Sequence, residues 1–526
     1  MKRLTLGFLI AVLITGFTFF SSNFLFAKQV KGVVFEDTNK NLNLDKGEKG
    51  IPGVLVSNQR DVVQTDKNGR FKISIEDETV IFITKPNGYM TPLNDKNLPQ
   101  FYYIYQPKGS PELKYGGVEP TGKLPKSLNF PLVKTEEIHT FKVIAFSDPQ
   151  PRDNQEVDYI RDDVIAELVG TDAVCGITLG DIMYDDLSLL DRYNQVVSQI
   201  DIPFYNVAGN HDENYDSPDD RYALETFKRY FGPTYYSFDY GKVHFIVLDD
   251  VEYLGKNEKG SPRYQGKLGE QQLQWLKNDL GFVDEDRLIV LTMHIPLYTS
   301  YSEGASVNVL DRDELFEILK DRERVLALAG HMHTLEHNFI GKEIDWHGEN
   351  PLHQVICAAV SGTWWTGIKD ERGIPGADQR DGTPNGYHIF KFEGNQYSEV
   401  FKPAHRDADF QLRISSPVGK ISLSDTTKEM IIVNVFDGSE RSKVKYKIDD
   451  SNFLEMQQTR LVDPFYQNFY DKNKDGLPSW IKPEVSTHIW TAQLPDDLKP
   501  GVHRIVVITT DQFGNKYETA SIFEVE

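Results

Sequence analysis

The sequence predicts an α/β domain flanked on either side by an all-β sandwich domain. Three observations carry this. Short alternating apolar and polar runs broken by Gly, Asn and Asp fill residues 28–138, buried-type strands alternating with helical spacing fill 139–396, and short alternating runs return over 397–526. The length of 526 residues agrees with three folded units, since one unit takes ~100–200 residues. With 39% hydrophobic and 26% charged residues the chain is ordinary globular protein, which excludes disorder, collagen and coiled coil.

Residues 1–27 stand apart. Lys2 and Arg3 precede an apolar run from Leu4 to about Phe20, followed by Ser21, Ser22 and Ala27, the pattern of a cleaved export signal. An uncleaved membrane anchor is the alternative reading, because the run just reaches spanning length. No cysteine follows it and no second apolar stretch of that length occurs. The expectation is a periplasmic or extracellular protein with no membrane span after signal cleavage. The formal charge of −22 repels a nucleic-acid backbone and argues against nucleic acid as a partner. Cys175 and Cys357 are too few for a disulfide scaffold or a cysteine metal site, and both read as core thiols, so any metal must be held by oxygen and nitrogen.

The first sandwich is read from runs such as Val30–Phe35, Gly53–Val56 and Arg70–Ile75. Between them, Asp37, Asn39, Asn41, Asn43, Asp45 and Glu48 occupy positions 1, 3, 5, 7, 9 and 12 of a calcium loop, with Leu42 where glycine is usual. A structural calcium and a plain Asn-rich turn are the two readings. Asp471–Gly476 starts like a second such loop, but Lys482 at its twelfth position makes it a turn. In the α/β domain, strands are expected at Phe141–Phe146, Ala173–Thr178, Phe204–Val207, His244–Leu248, Leu288–Thr292 and Val325–Ala329. Helices are expected at Val157–Val169, Leu190–Ile200, Tyr222–Tyr230, Glu270–Leu280 and Asp313–Asp321. Met430–Val435, Val444–Ile448 and His503–Thr509 are strands of the last domain.

The chemistry lies where the α/β strands end. Five of them run into Asp148-Pro149-Gln150, Gly180-Asp181, Gly209-Asn210-His211-Asp212, His294, and Gly330-His331-Met332-His333. Loops at the carboxyl ends of neighbouring strands line one crevice, so these segments can meet. A glycine before the polar residue lets backbone crowd a site. Carboxylates, an amide and imidazoles suit two divalent ions, manganese, iron, zinc or magnesium, sharing one bridging carboxylate.

This order resembles the calcineurin-like metallophosphoesterase superfamily over about Phe141–Phe392, and the flanking domains are similar to the β-domains of an exported bacterial subgroup. The resemblance implies a calcineurin-like α/β/β/α sandwich. It also implies a first metal on Asp148, Gln150, Asp181 and His333, and a second on Asp181, Asn210, His294 and His331, with His211 beside the metals. Gln150 departs from the Asp-x-His usual in the superfamily, which makes the first site a weaker, harder one. Tyr184 resembles the tyrosine of the Gly-Asp-x-x-Tyr motif of purple acid phosphatases, either as a metal ligand or as a packed ring.

Such a centre hydrolyses phosphomonoesters or phosphodiesters by attack of a metal-bridging hydroxide. His211 is the expected general acid, oriented by Asp185, Asp186 or Asp212, a choice the sequence leaves open; Asp212 is taken with it as catalytic. Trp364 and Trp365 offer a stacking face for substrate, or one packs in the core and the other caps it. Arg152 reaches a phosphate oxygen or forms a surface ion pair, and the Asp378–Tyr387 stretch reads as a loop closing the same rim. The substrate is expected to be a small-molecule or envelope phosphoester. The opposing reading is a non-catalytic surface-binding or scaffold protein that works through its sandwiches.

Overall fold

The computed structural model describes residues 28–422 and 429–526. The expected export signal lies outside the described residues. Among the described residues no helix is long and apolar enough to cross a membrane.

Two sheets form the centre of the protein. One runs in the order Phe204–Val207, Cys175–Leu179, Thr140–Phe146, Gly386–Glu393, Gln396–Pro403; the other runs Tyr236–Tyr240, Val243–Val247, Leu288–Thr292, Val325–Ala329, Leu352–Ile356, Glu336–Ile340. Their first three and middle four strands respectively are parallel. Cys175–Leu179, Val243–Val247, Leu288–Thr292 and Val325–Ala329 are buried along their whole length, because a parallel strand in this setting is covered on both faces and reads as an unbroken apolar run. Inner-face residues such as Val143, Ile177, Phe245 and Val290 share one core. Helix Asn154–Ile160 with its continuation packs Ile160 and Val164 against Ile144 and Phe146 on the outside, and Glu270–Leu280 inserts Trp275 and Leu276 on the opposite face. The result is an α/β/β/α sandwich whose parallel strands all deliver their carboxyl ends to one rim.

The flanking domains attach differently. The amino-terminal sandwich has two four-stranded sheets, and its Val56, Phe82 and Phe101 belong to the same apolar core as Tyr236 and Trp275 of the central domain. Lys85 crosses that junction buried, donating to the Asp239 carbonyl at 2.6 Å. The carboxyl-terminal sandwich keeps a separate core around Val433, Tyr446, Trp490 and Ile505. Its junction is mixed: Phe436 joins a small apolar cluster with Leu335, Ala358 and Phe401 of the central domain, while His488 meets Asp381 at 3.1 Å and is held by Asn434 at 2.8 Å.

Three expectations are corrected here. Gln396–Pro403 pairs with Gly386–Glu393 along its full length, so the central domain extends past residue 396 to Pro403. The last domain is not purely β, since Asp463 caps a helix over Pro464–Asn473, and Asp471–Gly476 is the end of that helix rather than a free turn. Asp378–Tyr387 is no movable rim loop: Asp381 is buried and accepts from the Leu335 N–H at 2.7 Å. In the 37–48 loop, Asp37 accepts the Leu42 N–H at 2.8 Å, Asn39 and Asn41 donate to Asp45 at 2.9 and 2.8 Å, and Leu42 takes the left-handed φ of 67° that glycine usually supplies. The loop thus closes on itself through Asn and Asp turns.

Candidate metal centre

The structure brings Asp148, Gln150, Asp181, Asn210, His211, His294, His331 and His333 to that one rim. Five of them sit in left-handed backbone, Asp148 at φ 46°, Gln150 at 37°, Asp181 at 49°, His331 at 73° and His333 at 50°. Each such residue costs of order 1–3 kcal/mol, and the strain gathers here because the sharp strand-to-loop turns must aim side chains inward. The preceding glycines are required by close approach. A Cβ on Gly209 would lie 2.1 Å from the Asp181 nitrogen, one on Gly330 would lie 2.7 Å from Asp148 Oδ2, and one on Gly180 would meet the His294 ring at 2.5 Å.

Hydrogen-bond chemistry decides which atoms face inward. A carbonyl only accepts, so a ring nitrogen facing one carries the proton. His294 Nδ1 faces the Leu179 carbonyl at 2.9 Å, His331 Nε2 faces that of Ser306 at 2.9 Å, and His333 Nδ1 faces that of Gly362 at 2.5 Å. Every imidazole therefore turns its other nitrogen into the cluster. His294 Nε2 lies 3.1 Å from Asn210 Oδ1, 3.1 Å from His331 Nδ1 and 3.3 Å from Asp181 Oδ1. With Nδ1–H spent on the Leu179 carbonyl, Nε2 faces acceptors, an arrangement that a second proton on the ring or a metal cation between them relieves.

The Asp148 side shows the same need. Asp148 Oδ1 is buried without a hydrogen-bond partner and lies 3.6 Å from His333 Nε2, too far for a hydrogen bond. The separation suits two donors to one ion, each ~2.0–2.2 Å from it. Asp148 Oδ2 is fixed by Ser147 and by the His331 N–H at 2.9 Å. The donor set fits divalent ions of the borderline to hard kind.

Electrostatics agree. Burial raises the Asp148 carboxyl above its usual range. Burial also raises His331's preference for neutrality, and with His294 beside it the proton affinity falls to about 3; burial likewise lowers His333. On His294 burial opposes charge, but Asp181 leads the carboxylates that hold its proton up to about 10. A cation among those carboxylates takes the place of that proton.

Gln150 behaves otherwise than expected. The indole N–H of Trp364 donates to its Oε1 at 2.5 Å, so its amide nitrogen is the end that faces Asp181, to which it donates. In this orientation Gln150 positions Asp181 and offers the ion no oxygen, leaving Asp148, Asp181 and His333 on that side. Asp212 is corrected as well. Its buried carboxylate accepts the N–H groups of Gly209 at 2.9 Å, Met183 at 3.0 Å and Ile182 at 3.1 Å, which clamps two of the converging loops together. Asp185 is the residue that orients His211, at 2.7 Å from Nδ1. Tyr184 stacks on the His211 ring with centroids 4.8 Å apart, the packed-ring reading of the two, and burial followed by Asp185 raises its phenol. Arg152 is bound to Glu156 and to the Trp364 carbonyl at 2.9 Å, so it is an ion-pair residue and not a free phosphate contact. Trp365 is buried against Tyr159, whereas Trp364 lies half-buried on the His333 ring at 4.1 Å. Sequence reasoning missed Trp364 as the partner of Gln150; a lone donor N–H beside a loop of ligand-type residues was the available signal.

Fold and centre together define a metallophosphoesterase domain. Residues 141–335 match the family model described as calcineurin-like phosphoesterase, and residues 38–115 and 355–517 match those of its N terminal and C terminal. The chain belongs to the calcineurin-like phosphoesterases. It is 28% identical over 167 residues to a probable glycerophosphodiester phosphodiesterase of Arcobacter nitrofigilis, covering 31% of this chain and 57% of that protein. It is 38% identical over 104 residues to purple acid phosphatase 23 of Arabidopsis thaliana, covering 19% of this chain and 20% of that protein. The chain thus spans little more than half of the one relative and a fifth of the other. A solved dimetal phosphatase from Danio rerio superposes with a TM-score of 0.34 at 15% identity, covering 50% of this chain and 98% of that one.

Proposed function

We propose that this protein is a dimetal hydrolase of phosphoric esters. The observation that carries the reading is the convergence of His331 Nδ1, Asn210 Oδ1 and Asp181 Oδ1 on His294 Nε2 at 3.1–3.3 Å, with the outer imidazole nitrogens already spent on backbone carbonyls. Asp148, Asp181 and His333 would hold one ion, and Asp181, Asn210, His294 and His331 the other. Bound there, the two ions supply Lewis acidity to the phosphoryl oxygens and lower the pKa of water.

The rest falls to the protein. The His211 N–H donates to Asp181 Oδ1 at 2.8 Å, which locks the bridging carboxylate to the loop that carries the acid. With Nδ1 on Asp185 and one face on Tyr184, the His211 ring keeps Nε2 as the nitrogen that would protonate the leaving oxygen. Burial opposes its charge, but Asp181 and then Asp185 keep the proton on it above the usual histidine range. Arg152 is neutralised by Glu156, which favours a phosphodiester, with its single charge, over a monoester dianion. The Arcobacter relative, a probable glycerophosphodiester phosphodiesterase, points to diesters too, whereas the Arabidopsis relative is a purple acid phosphatase.

The test is hydrolysis of bis(nitrophenyl) phosphate and of nitrophenyl phosphate by metal-loaded protein, with and without chelator. We expect chelator-sensitive turnover, faster on the diester. Metal-loaded protein that cleaves neither ester, and is no different as Asp181→Asn, overturns the reading.

A further inference from the structure

A second group of histidines and carboxylates lies outside the catalytic centre. His337 comes from the edge strand Glu336–Ile340 of the six-stranded sheet, and His388 and Glu399 come from the hairpin that edges the five-stranded sheet. Asp437 comes from the carboxyl-terminal domain, just after its strand Met430–Val435. His337 Nε2 lies 2.8 Å from Asp437 Oδ1 and 3.6 Å from Glu399 Oε1. His388 Nε2 lies 3.5 Å from Asp437 Oδ1 and 3.8 Å from Glu399 Oε2. The side chains of His337, His388 and Glu399 are at most 2% exposed.

Two features separate this group from an ordinary buried ion pair. First, it is unsatisfied: Glu399 Oε2 and both ring nitrogens of His388 are buried with no hydrogen-bond partner. A buried polar group left unpaired is destabilising, more so when charged, and here Glu399 and His388 face each other across the same small space. Second, three of the four separations, at 3.5–3.8 Å, exceed hydrogen-bond length. They come within a few tenths of an ångström of the roughly 3.4 Å edge of a tetrahedron whose centre is ~2.0–2.2 Å from each donor. His337 also has the outer partner that a ligand imidazole needs. Its Nδ1 lies 2.9 Å from His353 Nε2, and His353 Nδ1 lies 2.6 Å from the Tyr397 hydroxyl, so a chain of bonds fixes its ring.

We propose that His337, His388, Glu399 and Asp437 form a third metal site, a structural zinc site with two imidazole and two carboxylate ligands. The charges balance, two carboxylates and neutral imidazoles against one dication. His337, Glu399 and Asp437 bring donor atoms within 4.8 Å of one another, and His388, beside Glu399 and Asp437, would complete a four-coordinate shell with no open position, as in structural rather than catalytic zinc. Because the donors come from both central sheets and from the last domain, the ion would lock that domain to the catalytic sandwich beside the small apolar cluster of Leu335, Ala358, Phe401 and Phe436. This site does not depend on the proposed hydrolase activity.

The experiment is zinc-edge anomalous diffraction from crystals of the full chain grown with zinc, paired with metal analysis of Glu399→Gln and His388→Gln proteins. We expect anomalous density about 2.0–2.2 Å from His337 Nε2, His388 Nε2, Glu399 and Asp437. Each variant should lose one zinc per chain and unfold at lower temperature, while keeping ester hydrolysis within about twofold. Crystals whose catalytic centre scatters but whose second cluster shows no density overturn the proposal, and the cluster is then a proton-shared ion pair. An unchanged zinc content in both variants overturns it too. If a variant fails to fold, the diffraction result on the unaltered protein still decides.

Discussion

His244 and His294 are both fully buried beside carboxylates, yet they meet opposite kinds of partner. His244 has Asp239 Oδ1 at 2.7 Å from Nδ1 and Asp279 Oδ2 at 2.8 Å from Nε2, so both ring nitrogens must donate. Burial opposes that charge, but Asp279 and Asp239 overcome it and raise the pKa to about 9. His294 instead gives Nδ1–H to a neutral carbonyl, so that its Nε2 holds a proton among the carboxylates of the cluster and is free to ligate when a metal replaces that proton. A carboxylate on each side builds a cation into the fold; a carbonyl on the outside reserves a ligand. The same criterion sorts His331 and His333 with His294.

The largest effect that can break this distinction is at the shared carboxylate. Asp181→Asn should lower diester hydrolysis by about 10³-fold or more, since a bound cation supplies several kcal/mol, with the far-ultraviolet circular dichroism unchanged. An active Asp181→Asn enzyme would mean that the acceptors do not hold the working ions. His211→Ala should cost about 10²-fold on an alkyl phosphodiester and much less on a nitrophenyl ester, whose leaving group needs no proton. Equal losses on both substrates would remove His211 from the acid role.

On the other side of the comparison, His244→Gln should leave turnover per folded molecule unchanged and destabilise the protein by about 3–5 kcal/mol at pH 6, read from urea unfolding. The sign follows from the raised pKa of about 9. The stabilisation is fully present below the unfolded value of about 6.5 and is lost as pH climbs through about 9. The variant and the parent should therefore converge at alkaline pH, and a constant difference would show that His244 is not a cation. The smallest effect is expected from Trp364→Phe, which removes the N–H that turns Gln150 Oε1 away from the centre. About a tenfold change in the metal concentration needed for half-maximal activity is the scale of such outer contacts.

Much of the centre was legible because each ligand-type residue follows a buried apolar strand. Asp148 after Thr140–Phe146, Asp181 after Cys175–Leu179 and His294 after Leu288–Thr292 are placed by topology that the sequence pattern carries. What stayed hidden depends on contacts between distant positions. Asp185 and Asp212 both flank candidate ligands, and only the fold shows one on the His211 ring and the other clamping backbone. The orientation of the Gln150 amide is set by Trp364, 214 positions away. The hairpin Gly386–Glu393 and Gln396–Pro403 was divided between two domains because alternation inside an edge hairpin looks like the start of a new β-domain. The helix Pro464–Asn473 carried a start signal in Asp463-Pro464, but its aromatic residues pointed equally to strand.

The left-handed backbone at Asp148, Gln150, Asp181, His331 and His333 has a consequence for anyone evolving this protein toward heat tolerance. Glycine relaxes such positions, so a selection that rewards folding alone will favour replacements like Gln150→Gly. Variants enriched that way would melt later and work worse, and the ranking of substitutions by stability would trace the outline of the centre in reverse.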